Sequence, residues 1–127
     1  RYLAGHPATG AAPRYSMELI QQGVFMSIGP TYTAFGGPWG VSFSTNLTPD
    51  PETGLGGWTF EQFTMAMRTG KHLGDADSRP ILPPMPWKHY QALSDADMRA
   101  IWAYLQTIDP ISNVVPEARN RFGKTYD

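Results

Sequence analysis

The chain has no cysteine. That removes a disulfide framework, a thiolate zinc site and a cysteine nucleophile together. It also lacks any apolar run near the roughly 20 residues that a membrane-spanning helix needs. Neither sign of charge predominates: a net charge of -1 and a pI of about 6.3 leave no basic face for nucleic acid and no polybasic stretch for an anionic membrane. Neither HExxH nor GxSxG nor a Walker-type phosphate loop occurs. "FGGPWG" carries glycines, but no helix pattern follows it as a dinucleotide loop requires.

What remains is a single-domain length of 127 residues, 41% of them hydrophobic, with 13 glycines and 12 prolines. Glycine and proline at this level, about a fifth of the chain, point to a loop-rich globule rather than to low complexity. The opening "RYLAGHP" has neither an initiator Met nor the apolar stretch of a signal peptide, and reads as a processed product or as a stretch from within a longer chain.

Three helices are expected. "SMELIQQG" has Ser16 as N-cap and Gly23 as a stop. "TFEQFTMAMRTG" has a capping box of Thr59 with Gln62 and a stop at Gly70, and it places Phe60, Phe63, Thr64 and Met67 on one stripe. "SDADMRAIWAYLQTI" has Ser94 as cap, Asp95 and Asp97 in the first turn, and Met98, Ile101, Trp102 and Leu105 at the spacing of a buried face. Between them lie long loops: "FGGPWGVSF", which favours turns over any regular element, the polar "NLTPDPETGLGGWT", and residues 70–93. The tail after Pro110 reads as irregular surface chain. Two good helices bury too little to order so much loop, so a cofactor or further chain is expected to fill the core.

Candidate chemistry is sparse. His6, His72 and His89 share no ligand spacing and read as loop or surface residues. Asp50 and Glu52 read as a solvated turn, because calcium-loop spacing is absent. Four tryptophans, Trp39, Trp58, Trp87 and Trp102, are expected to fill core with their N–H groups bonded, or to wall a large flat ligand. The exception is "ILPPMPWKHY", where Met85 sits among three prolines that fix φ and donate no N–H. Methionine alone is a gap-filler. A stiff loop presenting one methionine between two amphipathic helices suits a different use, because a neutral thioether favours ferrous iron and raises a haem's potential.

The strings "AFGGPWGVSF", "TNLTPDPETGLGGWTFEQFTMAMRTGKH" and "RPILPPMPWKHYQALSDADMRAIWAYLQTI", from about residue 32 to residue 116, closely resemble the bacterial periplasmic monohaem c-type cytochromes. The resemblance implies an all-α, class I cytochrome c-like fold with haem c in its core, and a periplasmic carrier of single electrons between a dehydrogenase and an acceptor rather than an enzyme. It makes Met85 the distal axial ligand of the iron. It puts Asn46, Thr48 and Pro49 at the haem edge, Trp58 and Arg68 near the haem wall or propionates, and Pro84, Trp87 and Tyr90 around the ligand. The whole of 1–127 is then one partial domain, with 1–31 an irregular N-terminal extension and 111–127 a tail. The family's CxxCH motif, which carries the thioether links and the proximal histidine, is absent. The resemblance therefore implies that residue 1 falls downstream of that motif, and that the chain is stable only with an upstream segment, a haem or another subunit. Two alternatives stand beside this reading: a haem-free domain acting as an interaction module, and noncovalent haem with His6, His72 or His89 as second ligand.

Overall fold

A computed structural model describes residues 1–126. The expected helices form where their end signals place them. Helix α1 (Met17–Gln21) starts at Ser16, whose hydroxyl accepts from the Leu19 N–H, and Gly23 follows with a left-handed φ. A second helix, Phe60–Thr69, has the full Thr59/Gln62 capping box and ends at Gly70 with φ 68°. The third expected helix, Asp95–Leu105, is capped by Ser94.

The all-α expectation is overturned by a three-stranded antiparallel sheet: β1 (Ser27–Ile28), β2 (Ala34–Gly37) and β3 (Gly40–Phe43), in that order. Strands β2 and β3 are a hairpin in "FGGPWGVSF", with Gly37 opposite Gly40 and only Pro38 and Trp39 between them. The turn residues that argued against regular structure are the hairpin's connection. Gly40, at φ 111°, takes a conformation that side-chain-bearing residues rarely adopt, and the Arg119 and Asn120 backbone fills the place of its missing Cβ. Arg119 also exchanges both backbone hydrogen bonds with Val41, at 2.8 and 2.9 Å, which covers the free edge of β3.

Helix α2 is Phe60–Thr69 in chain order. After it, one unexpected turn of helix, α3 (Trp87–Tyr90), follows the prolines, and α4 is Asp95–Leu105. The core is small: Leu55, Phe63, Met98 and Leu105 are buried, with Trp58, Phe60, Met67 and Trp102 among the residues packed on them. The Phe63 and Trp102 rings lie 5.3 Å apart and tilted by 42°. Of the expected α4 face, Met98 and Leu105 are buried and Trp102 half-buried, while Ile101 is exposed.

The tail is not surface chain throughout. Asn113 and Ala118 are buried, and Asn113 donates to the carbonyls of Ala4 (2.7 Å) and His6 (2.9 Å), tying the two ends of the described chain together. Residues 1–31 likewise contribute buried Ala4 and His6.

Candidate functional site

Met85 is the exposed tip of the segment that follows α2. Its side of the loop opens on a hollow of about 280 Å³ lined by Ile81, Pro83, Pro84, Met85, Pro86, Trp87, Lys88 and His89. A large thioether 41% exposed is no core gap-filler. The backbone beneath it is held from several directions. Ile81 donates to the Gly70 carbonyl at 2.7 Å, Lys71 bridges Pro80, Leu82 is buried, and the Met85 N–H reaches the Leu82 carbonyl at 3.3 Å. On the hairpin side, the Ser42 hydroxyl donates to the Pro83 carbonyl at 2.6 Å, while the Trp39 indole N–H donates to Ser42 Oγ at 3.1 Å. On the far side, the Trp87 ring lies where a Cβ of Gly70 would stand.

Arg68 closes the segment. Its guanidinium donates to the Gln91 carbonyl and pairs with Asp95 at 3.0 Å, and Gln91 Nε2 donates back to the Arg68 carbonyl at 2.7 Å. This reciprocal clasp fixes the junction of α3 and α4 to the end of α2. Pro84 and Tyr90 are exposed, and Lys88 Nζ stands 5.9 Å over the Trp87 ring.

Asn46 and Thr48 lie elsewhere, in a buried polar knot. Asn46 Nδ2 donates to Thr53 Oγ1 (3.1 Å) and the Ile111 carbonyl (2.8 Å), and Asn46 Oδ1 accepts from the Thr48 N–H (3.1 Å) and hydroxyl (2.7 Å). All four hydrogen-bonding positions of the amide are filled by protein. Thr48 Oγ1 accepts from the Ile111 N–H at 3.1 Å, and Thr53 Oγ1 from Asn113 N–H at 3.0 Å. Asp50 accepts from the Thr53 hydroxyl and N–H, and those bonds hold its carboxyl below the usual range. Pro49 and Trp58 are half-buried at the edges of this knot, Trp58 on the core.

The histidines separate. His6 is wholly buried, against the surface reading, with Nδ1 2.9 Å from Thr33 Oγ1 and its ring 4.9 Å from that of Phe43. Among the described residues its Nε2 has no hydrogen-bond partner, and it abuts Gly10, where any Cβ would collide with it. The half-buried His72 is held neutral: burial, then the nearby Arg79 charge, lowers its pKa to about 4. His89 alone of the three lines the Met85 hollow. Among the described residues no three His, Asp or Glu side chains converge on a metal site.

The Ser42 contact to the methionine loop, and the Trp39 bond behind it, have no local signal in the sequence. The tryptophan was visible, but its partner depended on a hairpin register that the loop reading of "FGGPWGVSF" did not supply.

No family model matches the chain. Curated proteins do. Over 85 residues it is 42% identical to a subunit of the nicotinate dehydrogenase of Pseudomonas putida, covering 67% of this chain and 7% of that protein. Over 76 residues it is 41% identical to the cytochrome c subunit of the quinone-dependent alcohol dehydrogenase of Gluconobacter oxydans, covering 59% and 15%. Over 90 residues it is 36% identical to the cytochrome subunit of fructose dehydrogenase of Gluconobacter japonicus, covering 70% and 18%. The chain is related to the cytochrome c subunits of bacterial dehydrogenases. It spans less than a fifth of the length of each of these three relatives. No helix among the described residues is long and apolar enough to cross a membrane.

The donor chemistry of the loop fits one side of a haem. Met85 offers a soft, neutral sulfur on braced backbone, and Pro84, Pro86 and Trp87 give the hollow apolar walls. The chain has no cysteine for a thioether link to haem.

Proposed function

We propose that this chain is the methionine-bearing part of a periplasmic c-type cytochrome that carries single electrons between a dehydrogenase and an acceptor. Met85 would be the distal ligand of a bound haem c, with Pro84, Trp87 and Tyr90 beside it. Haem c, when bound, supplies the one-electron chemistry. The chain's own residues hold the backbone beneath Met85, present an apolar wall, and brace that wall through the Arg68–Gln91 clasp and the Gly70–Trp87 contact. Asn46, Thr48, Pro49 and Trp58 act by shaping the loop that delivers α2 rather than through free polar atoms. A bound haem held by two protein ligands would keep no position for substrate, which suits a carrier rather than the site of substrate oxidation.

One observation carries this reading: an exposed methionine whose backbone is pinned from both sides, in a segment shared with cytochrome subunits. The test is a reduced-minus-oxidised spectrum, before and after denaturation, of the protein isolated from its native host. Haem c bands that survive denaturation support it. A colourless protein would contradict it and leave the exposed loop as a protein-interaction surface.

A further inference from the structure

The methionine loop is short of ways to hold itself. Pro83, Pro84 and Pro86 donate no N–H, and among the described residues the Met85 N–H makes only the 3.3 Å bond to Leu82. The carbonyl two residues before Met85 is held from outside, by Ser42 at 2.6 Å. Ser42 is 7% exposed, and water has little access to replace it. Its hydroxyl is oriented: the Trp39 N–H, 3.1 Å away, occupies Oγ as acceptor and leaves the Ser42 proton for Pro83. Trp39 is fixed in turn. Its ring covers Gly37, where a Cβ would overlap it, the Phe25 ring meets it edge-on at 6.3 Å, and its carbonyl accepts from the Tyr126 hydroxyl.

We infer that Ser42 and Trp39 are positioning residues for Met85: the hydroxyl relay from the hairpin sets how firmly the thioether stays on the iron. The inference rests on Met85 being the axial ligand and goes beyond it, because it assigns a task to the unexpected β-hairpin. With the relay intact, Met85 opens rarely and competing ligands find the iron closed. With it cut, the Pro83 carbonyl is freed, the loop fluctuates, and the open state becomes more populated.

The test is competition by imidazole for the iron in the full-length holoprotein, followed by the visible spectrum, for wild type, Ser42→Ala, Ser42→Thr, Trp39→Phe, Met85→Ala and Thr59→Ala. Loss of one buried hydrogen bond corresponds to about a fivefold gain in apparent imidazole affinity for Ser42→Ala. Ser42→Thr keeps the hydroxyl and is expected to restore near-wild-type affinity, and Trp39→Phe to gain about twofold as the hydroxyl loses its orientation. Thr59→Ala removes a helix cap and lowers stability without touching the loop, so its imidazole affinity is expected to stay unchanged. If Met85→Ala does not raise imidazole affinity, the axial assignment itself fails and this inference with it. If Met85→Ala raises it while Ser42→Ala and Trp39→Phe do not, the ligand stands and the relay is overturned. Should Ser42→Ala not assemble, Trp39→Phe, which keeps an aromatic ring over Gly37, decides the question alone.

Discussion

Two loops of this protein look alike in sequence and differ in build. Residues 46–58 and residues 70–93 are both punctuated by proline and glycine. The first closes on itself: Asn46, Thr48, Thr53 and Asp50 fill one another's hydrogen-bonding positions and clip Ile111 and Asn113 of the tail. Within the second, residues 81–90 are gripped from outside that stretch, by Ser42 of the hairpin, Gly70 at the end of α2 and the Arg68–Gln91 clasp, and leave the Met85 side chain exposed. A loop that satisfies itself contributes to stability. A loop whose backbone is held while one soft donor faces outward is built to present that donor.

The comparison can be broken first at the polar knot. Asn46→Ala would strand the buried Thr48 N–H and leave the Ile111 carbonyl with the longer 3.3 Å bond from the Thr48 hydroxyl, and the expected loss is about 3 kcal/mol in denaturant unfolding, with little change in redox potential. A loss under about 1 kcal/mol would show that water replaces the amide and that the knot is not self-sufficient. At the gripped loop, Gly70→Ala forces a left-handed φ on alanine and drives its Cβ into the Trp87 ring. The expected cost is about 2 kcal/mol, accompanied by a shift in Trp87 fluorescence. A variant that keeps both stability and emission would remove Trp87 from the set of braces.

A third effect is in pH. His72, at the base of the gripped loop, has its pKa lowered from 6.5 to about 4 by burial and by Arg79. Between those values the unfolded chain binds a proton that the folded chain refuses, so this contribution is complete above pH 6.5 and declines as pH falls toward 4. His72→Gln is expected to flatten the stability profile in that window. An unchanged profile would mean that other groups set the acid response.

The sequence was legible where local chemistry decides. Thr59 with Gln62, Ser94, Ser16 and the glycine after α2 mark helix ends through bonds made within a few residues, and all four act as read. Met85 stood out for a local reason as well, being ringed by prolines. The hairpin was missed because Gly36, Gly37 and Gly40 carry no strand preference. Its signal was positional, two four-residue stretches flanking Pro38 and Trp39, and its edge is completed by Arg119 from far along the chain. His6 lies in a loop, as expected, but its burial has no local signal: Gly10, Thr33 and Phe43 enclose it only after the fold has formed. Arg68 was visible as a charge near the site, but its partners Gln91 and Asp95 depend on how α3 and α4 pack.

Ligation of the iron by Met85 is tested most directly by the redox potential of the full-length holoprotein with Met85 intact and as Met85→Ala. The potential is expected to fall and the optical signature of sulfur ligation to disappear, because a thioether ligand favours the ferrous state. An unchanged potential and spectrum would contradict the assignment, and the braced methionine would then serve a surface other than the iron's.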